Sequence, residues 1–86
     1  MLTRYWIKFE TQAAYEPLIV GCGVTAYNKD DVVILIDEVL FKYFDKRQIA
    51  EIIPNIDIQT LEASHIRPNM GNPVVRGIWY PNLNSF

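Results

Sequence analysis

Between Asn28 and Asp45 the chain carries its one long helical pattern, and the rest has to fold around it. Asn28 is a good N-cap, and Asp31 three residues on completes a capping-box-like pair. Lys29, Asp30 and Asp31 fill the first turn, where carboxylates suit the helix dipole. Val32, Leu35, Ile36, Val39, Leu40 and Tyr43 recur at i, i+3, i+4 spacing and define one face. Val33, Ile34, Phe41 and Phe44 widen that face, leaving Asp37, Glu38, Lys42 and Asp45 as a narrow solvent edge. The spacing predicts a helix over 29–44 with a stripe broader than one sheet face covers. Some residues of this stripe, which includes Phe41 and Phe44, are then expected to stay exposed or to lie in a homodimer contact.

Strand patterns flank the helix on both sides. In TRYWIKFE, Tyr5, Ile7 and Phe9 alternate with Arg4, Lys8 and Glu10, the period of a half-buried strand, with Trp6 as an exception on the polar side. TQAAYEP reads as a loop closed by Pro17. LIVGCGVTAY is a second, β-branched strand, and its Gly21 and Gly23 predict a positive φ or a bulge at one of them at least. The pair is too short to be a phosphate loop. After the helix, RQIAEII up to Pro54 fits a short strand or a helical turn, and the strand is the favoured reading. A proline there argues for an edge position or a bulge, with NIDI as the strand's continuation. QTLEASH reads as a short helical turn with Thr60 as its cap. RPNMGNP is turn chemistry, and Val74–Tyr80 reads as the last strand, in which alternation places Trp79 opposite Arg76 and Tyr80.

The order strand, strand, helix, strand, strand predicts an α+β fold. It is a two-layer sandwich in which one main helix packs on a small antiparallel sheet in the ferredoxin-like manner. At 86 residues the chain is read as one domain, 1–86, whose core is real but thin.

Composition narrows the function classes. Half the residues are hydrophobic, which sets the chain apart from disordered sequences. The net charge is -2 and the eight Lys and Arg are scattered, which argues against a nucleic-acid partner. A single cysteine, Cys22, makes no intrachain disulfide and no cysteine-rich zinc site, and one histidine, His65, makes no paired-histidine site. The longest apolar run, Val32 to Ile36, is far short of a bilayer span. Arg4, Lys8 and Glu10 interrupt any leader-like stretch. The expectation is a cytoplasmic protein without cofactor, metal or membrane contact.

Three stretches, YWIKFE, GCGVTAYNKDD and HIRPNMGNPVVRGIWYPN, together resemble a family of small bacterial proteins with no assigned function. The resemblance covers most of the chain and is weakest between Phe41 and Pro54. It implies a soluble bacterial protein of one domain, and it carries no activity and no catalytic residue.

Two sets of residues are candidates for chemistry. Cys22 with His65 would make a nucleophile and base if they meet and the thiol ionises. The plainer reading is a buried cysteine in a strand and a histidine bonded to nearby backbone. Asp57 and Glu62 do acid–base work only if their surroundings drive their pKa values apart. The stronger set is Arg67, Asn69, Arg76 and Tyr80, with Trp79 beside them, because Arg, Trp and Tyr are the residue types of binding hot spots. Its plainer reading is a turn followed by a strand, with Trp79 as a core anchor. The leading expectation is therefore a non-enzymatic protein-interaction module, with a protein partner or a second copy. A small Cys/His-dependent hydrolase or transferase and a small-ligand-binding protein are the alternatives.

Overall fold

The alternating residues at the start of the chain form β1 (Thr3–Phe9), and the glycine-rich apolar run forms β2 (Cys22–Ala26). Helix α1 (Lys29–Glu38) follows, then β3 (Ile49–Pro54) and β4 (Gly77–Tyr80). The computed structural model describes residues 1–10, 21–61, 63, 64 and 66–83. The reading of 11–17 as a loop and of 18–20 as strand lies outside these residues.

The sheet order is β3-β1-β2-β4, and every neighbouring pair is antiparallel. With α1 on one face, this is the expected two-layer α+β sandwich. Tyr5, Ile7, Cys22, Val24 and Ala26 point to that face and meet Val32, Leu35, Ile36 and Leu40 in the main core. Asn28 caps the helix from an extended conformation, and its side chain accepts the Asp31 N–H at 2.8 Å. Asp31 reaches back past the cap, accepting the Tyr27 N–H at 3.0 Å.

The helix ends at Glu38 and not at Phe44. A 3₁₀ turn, Leu40–Lys42, takes over. A continued α-helix would keep Val39, Leu40 and Tyr43 on the core face; the tighter turn instead leaves Tyr43 exposed and brings Phe41 and Phe44 against the core. Leu40 is fully buried, and Phe41 and Phe44 lean on the main core, with Phe41 against Phe9 (ring centroids 6.4 Å apart). The exposed apolar residues of this stretch are Val33, Ile34 and Tyr43. Some of the stripe is thus exposed, at these three residues, while the two phenylalanines are partly buried.

The far face of the sheet has a second core. Trp6, Trp79 and Tyr80 pack there with Ile66, and Ile53, Ile56, Ile58, Leu61 and Met70 close over them. Trp6, which alternation alone leaves on a polar face, is therefore buried. β3 is an edge strand, one of the two readings that Pro54 left open, but it does not run on through NIDI. Asn55 has φ 55, in the left-handed region that Asn tolerates, and turns the chain across the far face. Asp57, not Thr60, caps the next 3₁₀ turn (Ile58–Thr60), accepting the Gln59 N–H at 2.9 Å.

β4 is shorter than the expected 74–80. Val74 and Val75 are exposed in turns, the Val74 N–H donating to Asn72 Oδ1 at 2.9 Å. Within β4 the alternation fails at a bulge: Val24 pairs with Ile78 and Gly23 with Tyr80, which leaves Trp79 as the extra residue. Ile78 accordingly faces the helix side, whereas Trp79 and Tyr80 both serve the far core.

Candidate functional site

The residues of the C-terminal segment are not gathered at one place. Arg67 and Asn69 lie in a 3₁₀ turn (Arg67–Asn69) beside buried Ile66, on the far-face cover. Arg67 Nη1 donates to Gln59 Oε1 at 3.2 Å. The Asn69 carbonyl accepts the Asn82 N–H at 3.0 Å, and the Gly71 N–H donates to the Trp79 carbonyl at 2.6 Å. These bonds hold the segment against β4.

Arg76 belongs to the opposite side. Its Nε donates to Asp31 Oδ2 at 2.9 Å, a second guanidinium nitrogen bonds Asp31 Oδ1, and its Cζ lies 5.9 Å from the centre of the Tyr27 ring. The bidentate geometry is the strong form of such a pair. It ties the approach to β4 to the first turn of α1. Gly77, at φ 144, makes the corner behind it. The Arg76 hydrogen bonds, with help from the Tyr27 N–H, hold the Asp31 carboxyl at about 2, below its ordinary 3.8. Tyr80, read as a groove residue, is buried with its ring 5.7 Å from Trp6. Trp79 is 1% exposed, as a core anchor should be. Arg67, Asn69, Arg76 and Tyr80 therefore do not line one surface. Arg76 is committed to the helix cap, Tyr80 to the far core, and Arg67 and Asn69 to its cover.

Cys22 is fully buried in the main core, opposite Ile7. Burial pushes its thiol up from the usual cysteine range, so it is protonated at neutral pH. His65 and Glu62 lie outside the described residues. Asp57 is occupied as a cap. Among the described residues no group of three or more His, Cys, Asp or Glu stands close enough to hold a metal ion, and no helix is long and apolar enough to cross a membrane.

A concavity with apolar walls lies elsewhere, between α1 and the approach to β3. It is an open groove of about 670 Å³. Val33, Ile34, Phe41 and Ile49 supply apolar lining, and Asp37, Glu38, Lys46 and Arg47 stand around it. Lys46 Nζ is 3.2 Å from Asp37 Oδ1, and both side chains remain mostly in water. A smaller polar hollow of about 330 Å³ lies by Arg4, Thr25 and Pro73, where Thr25 Oγ1 donates to the Pro73 carbonyl at 2.6 Å. The signal for the groove was present in the sequence as the over-wide stripe, but nothing in the sequence placed Ile49 and Lys46 across from it.

Neither sheet edge invites strand addition. β3 carries a bulge at Ala50, where Phe9 pairs with Ile49 and Lys8 with Glu51, and it ends in Pro54. β4 has four residues, a bulge, and the 69–71 segment bonded beside it. These are the devices that block edge-to-edge pairing.

No family model, no curated protein and no solved structure matches the chain.

Proposed function

We propose that this chain is a non-enzymatic protein-interaction module whose contact surface is the groove between α1 and β3. The observation that carries this reading is the exposure of Val33 and Ile34, 47% and 48%, side by side on a helix whose other apolar residues are covered. Adjacent half-exposed β-branched residues that border an apolar groove favour a contact surface. The blunted sheet edges support contact through side chains over contact through strand pairing. The buried, protonated Cys22 weighs against the hydrolase or transferase alternative. The groove volume falls within the range of small-ligand sites, but such sites enclose most of their ligand, and this groove is open along its length. The same reading places the protein in the bacterial cytoplasm, with another protein or a second copy as the bound species.

A photo-crosslinking amino acid at position 34, introduced in cells that make the protein, tests this. A discrete protein adduct is expected from position 34 and none from position 8, which is exposed on the opposite face. No adduct at 34, or the same adducts from both positions, would rule the groove out as a contact surface.

A further inference from the structure

We infer that the species bound at this surface is a second copy of the chain, packed with its α1 antiparallel to the first across a two-fold axis beside Val33 and Ile34. The inference rests on the reading of the groove as a contact surface and names its occupant.

The argument comes from the outer ridges of α1. Residues four apart form a ridge along a helix, and i±4n ridges are the elements that interdigitate in the commonest helix–helix packing. Lys29, Val33 and Asp37 form one such ridge, and all three are exposed. The ridge reads base, apolar, acid. A two-fold axis through its middle turns the second copy end for end, so that Lys29 of each chain meets Asp37 of the other while the apolar centres meet each other. An isologous contact must be self-complementary in this way. A foreign partner of one charge sign would suit one end of the ridge and oppose the other.

The neighbouring ridge, Asp30, Ile34 and Glu38, is acidic at both ends and therefore cannot take that role. It places the Lys29 ridge at the crossing and Ile34 on its flank. Asp37 is 55% exposed despite its partner Lys46, so its carboxylate keeps room for a second cation. Strand exchange through β3 or β4 is closed off by their bulges, by Pro54 and by the 69–71 segment. A seam this narrow is at the small end of specific interfaces, so association in the range of about 10–500 µM is expected.

Sedimentation velocity on the full chain, between about 1 µM and about 1 mM, tests the inference against that expected range. The wild type should move from the mass of one chain to that of two. Ile34→Lys and Val33→Lys should each stay monomeric with unchanged far-UV and near-UV dichroism. Lys29→Asp and Asp37→Lys should each weaken the dimer by about tenfold, because the two-fold turns both copies of the contact repulsive. The double variant K29D/D37K should recover most of that loss. A wild type that is monomeric throughout overturns the inference. If position 34 still crosslinks another protein, the contact-surface reading survives that failure. A dimer that ignores Ile34→Lys, or single charge reversals that the double variant does not rescue, equally overturns it.

Discussion

The six-membered ring of Trp79 occupies the space in which Gly23 would carry a side chain: a β-carbon built there would overlap it. Two positions away, a β-carbon on Gly21 comes within 2.5 Å of Trp6 Nε1, and Gly21 has φ 128. The two glycines around Cys22 thus seat the two tryptophans of the far core, whose ring centroids are 5.9 Å apart. The expectation of a positive φ or a bulge at one of the pair holds at Gly21, and the bulge opposite Gly23 lies on β4, at Trp79.

Gly23→Ala is therefore expected to destabilise the fold by about 1–3 kcal/mol, the range for overpacking a filled site. Gly71→Ala is the control. Its β-carbon meets nothing nearer than 3.6 Å, so its loss should be smaller. Urea unfolding of both variants, followed by tryptophan fluorescence, makes the comparison. Equal losses would show that the Trp79 ring moves aside freely.

Trp79→Ala should cost about 3–5 kcal/mol, as truncation of a buried aromatic does. Arg76→Ala should cost less at neutral pH, because its side chain is 42% exposed and water replaces much of what it loses. Denaturant midpoints decide between the two. A loss for Arg76→Ala as large as that for Trp79→Ala would show that the clamp on α1, rather than the far core, holds the C-terminal segment.

The Asp31–Arg76 pair makes a prediction about pH. Asp31 titrates at about 2 in the folded chain against 3.8 ordinarily, so the folded state favours the ionised form. Its contribution is complete above 3.8 and is lost as the pH falls toward about 2. The gap in unfolding midpoint between wild type and Asp31→Asn should be widest near neutrality and should narrow across that window. A gap that is constant from pH 7 to pH 2 would remove the pair as its cause.

Cys22 should behave as an inert core thiol. Aromatic disulfide reagents at pH 8 are expected to leave it unlabelled in the native protein and to modify one thiol per chain in denaturant. Rapid labelling of the native chain would reopen the nucleophile reading.

Much of the fold was legible because local rules and tertiary demands agreed. Asn28 and Asp31 announce the start of α1, and the alternation of Tyr5 and Ile7 gives the core face of β1. The four candidate binding residues do not share one surface, for a physical reason. Arg76 and Tyr80 are close along the chain, but the bulge at Trp79 puts them on opposite sides of the sheet, and Arg67 and Asn69 sit with Tyr80 on the far face. Strand period assumes an unbroken ladder, and a bulge resets which face each later residue takes.

The residues alone determined the element order, the helix cap and the excess of apolar surface on α1, because each follows from spacing or from backbone chemistry within a few positions. Tertiary structure alone decided that Trp6 is buried, that the helix gives way to a 3₁₀ turn at Leu40, and that Arg76 closes on Asp31. Each of these depends on what a segment distant in sequence brings to the site: the cover over the far face, the limited arc of the main core, and the corner at Gly77. No local pattern encodes the space that a distant segment leaves to be filled.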